Sequence, residues 1–211
     1  MKITLTRTTA IGCAVATTLY MTAVLAVTGT AQVSERTPLA MGSSRITITG
    51  TSNIHAYSAT TTHVRVTRAL GAVPAGPEFW DALQRPGAID AFEIAVAAAT
   101  LASPKDGLDK NMHRALKVHE HADITFRLLR LEPAAVGVLK AVGMLRIAGV
   151  EREIAMDLKT VRQESGLAVK GDVQIVMTDY GIKPPTARLG MLKTDPKVTV
   201  SFETLIVVPL T

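Results

Sequence analysis

Three histidines in the middle of the chain are the first residues whose types and spacing could do chemistry. His119 and His121 lie two apart, on one face if a strand runs there, and His113 precedes them by one to two helical turns. Three neutral imidazoles could hold a divalent metal. The alternative is three solvated side chains where a helix ends and a strand begins; the lack of any fixed ligand spacing favours it. His55 and His63 stand apart along one hairpin and read as structural or exposed. Asp172 and Asp179, on or beside one strand, form no evident acid/base pair. There is no nucleophile elbow, no phosphate-cradling glycine loop and no zinc-protease helix pair. The chemistry that remains is that of an apolar interior, so the elements that build it carry the question.

The 211 residues are 47% apolar and only 4% aromatic, with a formal net charge of +5. Lys2 and Arg7 are followed by a mostly apolar, uncharged run from Ala10 to Val27, and Gly29-Thr30-Ala31 offers small residues for cleavage. That is the build of a secretory signal peptide over residues 1–31. A membrane anchor is the competing reading, but the run is short and broken by Thr17, Thr18 and Thr22. Without the leader, 21 basic residues face 18 acidic ones, a charge of +3 with no basic cluster, which is no nucleic-acid footprint. Cys13, the one cysteine, leaves with the leader, so the mature chain has no thiol for a disulfide, a zinc site or a nucleophile. The compartment expected is periplasmic or secreted.

Residues 32–211 read as one domain. A polar lead (33–44) is followed by eight segments of period-two alternation, centred on Ile46–Ile48, Val64–Val66, Phe92–Val96, Ile124–Leu128, Leu145–Ile147, Ile154–Leu158, Val173–Met177 and Val198–Phe202. Eight half-buried strands separated by turn residues predict an all-β, lipocalin-like eight-stranded antiparallel β-barrel. Ala95–Ala99 is read as strand despite its helical propensity. The strand from Val173 is expected to end near Tyr180, with Pro184-Pro185 opening a loop to the last strand. Two short helical insertions interrupt the rhythm. One spans 104–117, with Leu108, Met112, Ala115 and Leu116 on one face and Asp106 and Asp109 near its N-terminus, where the helix dipole favours acids. The other lies within 76–85, with Pro77 near its start and Phe79, Trp80 and Leu83 apolar.

An eight-stranded barrel is either just filled by side chains or able to hold one small ligand. Strand parity assigns Ile94, Val96, Ile124, Phe126, Leu128, Leu145, Ile147, Met156, Val173, Ile175, Val200 and Phe202 to the inside, with Leu108, Met112 and Leu116 over one mouth. Few of these are rings, and Ala95, Ala97, Ala141 and Gly143 lie among them. Alternation alone leaves open whether the interior is a packed core or an unfilled aliphatic bore. A membrane-spanning barrel would need aromatic girdles and apolar outer faces. This chain has seven aromatics after the leader and places Arg127, Asp157 and Gln174 outside.

Five stretches in order resemble the YceI family. They are Gly50-Thr51-Ser52-Asn53-Ile54-His55; Leu101-Ala102-Ser103 with Asp109, Met112, Leu116-Lys117 and Ile124-Thr125-Phe126; Leu145-Arg146-Ile147-Ala148-Gly149-Val150 with Arg152 and Ile154; Met177-Thr178-Asp179-Tyr180-Gly181-Ile182; and Val198-Thr199-Val200-Ser201-Phe202. The match covers roughly residues 43–208. It departs in having Ala122-Asp123 where the family usually has proline before the Ile-Thr-Phe triplet, and in a longer stretch from Ala69 to Ala91. The resemblance implies a periplasmic lipocalin-like barrel with a polyisoprenoid or similar lipid in its bore, no catalytic residues and no other cofactor. A homodimer is compatible with it. The rival reading is a periplasmic metal binder using His113, His119 and His121.

Overall fold

The computed structural model describes residues 36–187 and 192–208; the leader, with Cys13, lies outside the described residues. Eleven strands are described: β1 (Thr37–Pro38), β2 (Ala40–Ser52), β3 (Ala56–Thr61), β4 (Val64–Gly71), β5 (Ile89–Ala97), β6 (Asp123–Ala135), β7 (Val138–Ile147), β8 (Val150–Gln163), β9 (Gly166–Val176), β10 (Thr186–Ala187) and β11 (Leu192–Val207). Two helices interrupt them, α1 (Phe79–Leu83) and α2 (Asp106–Ala115). The eight strands read from alternation are β2, β4 to β9 and β11. The other three carry no readable period, because β1 and β10 have two residues each and β3 is Ala-Tyr-Ser-Ala-Thr-Thr.

Every pairing is antiparallel, in the order β1-β4-β5-β6-β7-β8-β9-β11-β2-β3, with β10 alongside β11. β1 and β2 are one stretch of chain broken only at Leu39. Its first residues pair with β4, the Leu39 N–H donates to the Ala69 carbonyl (3.0 Å), and the rest pairs with β11. The same segment therefore joins both flanks of the sheet, which curls into a barrel. The two-residue turn Ala148-Gly149 between β7 and β8 has both φ values positive (47° and 84°), the conformation whose twist matches two antiparallel strands.

Three expectations need correction. The polar lead is not a lead: its residues from Ala40 already belong to β2, whose backbone finds a partner in β11 whatever its side chains. The alanine run is strand only as far as Ala97; Ala98–Thr100 is a 3₁₀ turn that aims the chain at α2. β9 ends at Val176, four residues early, because Met177–Tyr180 winds into another 3₁₀ turn closed by Gly181 at φ 67°. The two prolines then lead into the small β10–β11 hairpin.

Two separate cores sit at opposite ends of the strands. At the α1 end, Phe79, Trp80 and Leu83 pack with Leu39, Ala69, Leu167 and Ile206. At the α2 end, Leu101 and Leu116 pack with Ala98, Ile147, Ile175, Tyr180, Ile182 and Val198. α2 carries Asp106 and Asp109 in its first turn and His113 and Arg114 in its last, complementing the helix dipole. Asp109 also accepts the Ser103 N–H (2.8 Å), which ties the start of the helix down.

Within the second core the Tyr180 hydroxyl is buried with no hydrogen-bond partner among the described residues. Burial raises its pKa above 10.0, with the charge of Asp179 adding to the shift. Below the ordinary tyrosine value both folded and unfolded chains hold the proton, so nothing is lost. Above it the unfolded chain ionises first and stability falls. Tyr180→Phe removes both liabilities. It is expected to raise stability by about 1 kcal/mol at neutral pH, a few degrees in melting temperature, and to blunt the loss above pH 10. Thermal melts at pH 7 and pH 10.5 check this, and a destabilised Phe variant would refute it.

Candidate functional site: an aliphatic bore

Between the two cores runs a cavity of about 330 Å³. It reaches from Leu39, Leu83 and Ile206 at the α1 end to Leu101, Leu116 and Val198 at the α2 end. From Val198 to Ile206 that is roughly 26 Å along β11 at the usual strand rise. Such dimensions suit an extended chain better than a compact ligand.

The lining includes all fifteen residues assigned to it from the sequence. Ile94 and Val96 come from β5, Ile124, Phe126 and Leu128 from β6, Leu145 and Ile147 from β7, and Met156 from β8. Val173 and Ile175 come from β9, Val200 and Phe202 from β11, and Leu108, Met112 and Leu116 from α2 and its C-terminal end. Most of these side chains are half-buried, not fully buried, although they face inward. A filled core would have buried them, so their residual exposure marks an open interior.

Strand parity missed two kinds of lining residue. Ile46, Ile48, Val64, Ile154, Leu158 and Val198 share a face with neighbours two residues away, and parity was signal enough to find them. Leu39, Met41, Ile89 and Leu131 break parity. Each lies beyond a register shift: between Ser44 and Met41 on β2, between Ala91 and Ile89 on β5, and between Leu128 and Arg130 on β6. A β-bulge inserts one residue, sends the following side chains to the other face and sharpens the local twist. These bulges fall toward the α1 end, where the sheet must curl tightly around its core.

Three of the rings that face inward are laid against the wall. A Cβ on Gly171 would come within 2.6 Å of the Phe202 ring, one on Gly143 within 2.4 Å of Phe126, and one on Gly50 within 2.3 Å of Tyr57. In each case an aromatic side chain lies over a glycine on the adjacent strand and covers backbone that no side chain shields. The rings thus occupy the space of the missing Cβ atoms and leave the centre of the bore free.

Among the described residues the cavity wall contains no lysine, arginine or histidine. The one carboxylate among the described lining residues, Glu203, is exposed and paired with Lys170 (2.9 Å). Polar lining groups toward the α1 end satisfy one another: the Thr160 hydroxyl donates to Gln84 Oε1 (2.7 Å), and Ser44 and Thr204 share a hydrogen bond (2.8 Å). At the other end the Tyr57 phenol is pushed up by burial and then by the charge of Asp195, so it remains a neutral donor. Charge is confined to the outer face, in exposed pairs such as Arg65–Asp123 (2.7 Å) and Arg127–Glu151 (3.6 Å), each worth little to stability. A barrel that is apolar inside and charged outside is the inverse of a membrane-spanning porin. No helix among the described residues is long and apolar enough to cross a membrane.

The histidines are not brought together. His113 Nε2 hydrogen-bonds the Leu101 carbonyl (2.8 Å), which fastens α2 to the end of the preceding turn. The His121 ring closes over the Gly149 turn, where a Cβ would meet it at 2.6 Å, and His119 is exposed. Among the described residues no three His, Cys, Asp or Glu side chains cluster as metal ligands would. His55 and His63 are both exposed beside the turns that flank β3.

Comparison with known proteins agrees with this architecture. No curated protein sequence matches. Among solved structures, BcnA of Burkholderia cenocepacia superposes with a TM-score of 0.61 at 9% identity, covering 78% of this chain and 96% of its own. A polyisoprenoid binding domain from Saccharophagus degradans gives 0.56 at 14% identity, covering 82% and 99%. The YCEI protein of Campylobacter jejuni gives 0.51 at 14% identity, covering 72% and 86%. At such identities the likeness speaks for the fold. The model of the YceI-like domain matches residues 27–205, most of the sequence, and the chain belongs to that family.

Proposed function

We propose that this protein is a lipid carrier that holds a long polyisoprenoid, or a similar apolar chain, in the bore of its barrel, in the periplasm or after secretion. The observation that carries the reading is a continuous cavity lined mostly by aliphatic side chains, with no cationic group among the described lining residues. Each CH₂ of a chain drawn into such a lining is worth about 0.8 kcal/mol, so ten buried carbons contribute roughly 8 kcal/mol before the cost of ordering the chain. The similarity to a polyisoprenoid binding domain supports the chemical class. The work suggested is holding and release; among the described residues no group at the bore is arranged as nucleophile and base. Periplasmic placement rests on the composition of residues 1–31 and the family resemblance.

Protein purified under native conditions should carry an isoprenoid lipid recoverable by organic extraction and seen by mass spectrometry. Preparations that are empty, and stay empty after incubation with polyprenols and isoprenoid quinones, would overturn the proposal.

A further inference from the structure

Two excursions of the chain cover the two ends of the bore, and they are fastened differently. The first, residues 72–88 with α1, is bolted to the wall. Phe79, Trp80 and Leu83 are buried, at 4%, 9% and 2% exposure. Gln84 Oε1 accepts the Thr160 hydroxyl of β8 (2.7 Å), and the Arg162 guanidinium of the same strand stands 5.1 Å from the Trp80 ring.

The second, residues 103–121 with α2, has no such tie. Among the described residues, every hydrogen bond made by 103–121 ends within 101–121, and none of these residues joins an ion pair. No residue of α2 itself is buried. Its inner face meets the bore through Leu108, Met112 and Ala115, apolar contacts that can part without breaking a polar bond to the wall. The base beneath it is fixed. Ala102 and Thr60 exchange both backbone hydrogen bonds (3.1 and 2.8 Å), and the Ala98 N–H donates to the Ala122 carbonyl (2.8 Å). Two side chains hold the helix down on that base: His113 Nε2 donates to the Leu101 carbonyl (2.8 Å), and Asp109 Oδ1 accepts the Ser103 N–H (2.8 Å).

We propose that residues 103–121 are the door of the bore, swinging as one body on its stems at Ala102 and Ala122, with His113 and Asp109 as latches, while the α1 end stays shut. The proposal deepens the carrier reading, which supplies the chain that passes through. Neither latch residue lines the cavity, so the latches govern passage and not fit.

Stopped-flow mixing with retinol, a short isoprenoid alcohol whose fluorescence rises in an apolar site, reads the door. His113→Ala should speed uptake and release alike, by about two- to tenfold for one hydrogen bond, and leave Kd unchanged. Asp109→Ala should act in the same way, and Lys110→Ala, on the exposed side of the same helix, should match the unaltered protein. A second arm needs no lipid. Val198 and Ile206 lie at the α2 and α1 ends of β11, 8% and 7% exposed, and Cys13 is the one cysteine in the sequence. In a Cys13→Ser background, Val198→Cys should react slowly with dithionitrobenzoate, and adding His113→Ala should speed that reaction by the same factor as uptake. Ile206→Cys should be unaffected by His113→Ala. Circular dichroism checks that each variant is folded. Unchanged rates in both latch variants, faster release with a matching loss of affinity, or equal acceleration at Val198→Cys and Ile206→Cys would each overturn the door. Faster labelling of Val198→Cys alone, in a protein that takes up neither retinol nor polyprenols, would support the door and sink the carrier reading; normal retinol binding with unchanged labelling and rates would do the reverse.

Discussion

Met156→Arg is expected to empty the protein of isoprenoid while leaving the barrel folded. Met156 faces the bore from the middle of β8, beside Ala141 of β7, and is only half-buried because the interior is open. Water entering the empty cavity can solvate a guanidinium there, so the unloaded variant keeps its fold. A chain filling the bore must strip that water, and a charge left unpaired in an apolar site costs about 3–5 kcal/mol. At 1.4 kcal/mol per factor of ten that is roughly two to three and a half orders of magnitude in affinity. Met156→Leu conserves volume and should load normally. The readout is isoprenoid per mole of protein in an organic extract, alongside circular dichroism. Full loading of Met156→Arg would place the chain somewhere other than the bore.

The glycines beneath the rings give the second large effect. Gly50→Ala, Gly143→Ala and Gly171→Ala should each destabilise the fold by about 1–3 kcal/mol, the usual cost of overpacking, and lower isoprenoid loading by driving a ring into the bore. The three differ in what else the new methyl meets. At Gly50 the near atoms all belong to the Tyr57 ring, so Tyr57→Leu in the same chain should restore stability almost fully. At Gly143 and Gly171 the carbonyls of Arg127 (2.6 Å) and Asp157 (2.8 Å) also stand in the way. Phe126→Leu and Phe202→Leu should therefore rescue only part of the loss. Denaturant melts of the singles and doubles give the coupling energies. Equal rescue at all three positions would mean that the rings are not what the glycines accommodate.

Alternation identified the long strands because one face of each meets an apolar interior and the other meets water. On β8 and β9 the period runs unbroken from Ile154 to Thr160 and from Leu167 to Ile175, and there parity and structure coincide residue by residue. Bulges are local backbone events with no hydrophobic signature of their own, so Leu131 and Ile89 could not be assigned by counting in twos. β3 was invisible for another reason. It lies at the end of the sheet, secured to Ala102 by two backbone hydrogen bonds (2.8 and 3.1 Å), and its small polar residues need no apolar period. Composition could not decide between a filled and an empty interior, because it cannot reveal that Phe126, Phe202 and Tyr57 lie over glycines. Pairing partners decide that, and partners are a property of the register. His113 is the same lesson on a smaller scale: its engagement with the Leu101 carbonyl joins residues twelve apart through a turn whose first two residues, Ala98 and Ala99, read as strand from the segments flanking them.

The α1 core has an optical consequence. Trp80 is the one tryptophan in the chain, buried there edge-on to Phe79 with their centroids 5.0 Å apart and the Arg162 guanidinium 5.1 Å from its ring. Intrinsic fluorescence excited at the indole band therefore reports from a single place, the plug at the α1 end of the bore. The helix holding that indole is joined to β8 through Gln84 and Thr160. Its emission is thus a native gauge of whether the plug stays shut as a lipid arrives, readable without attaching any label.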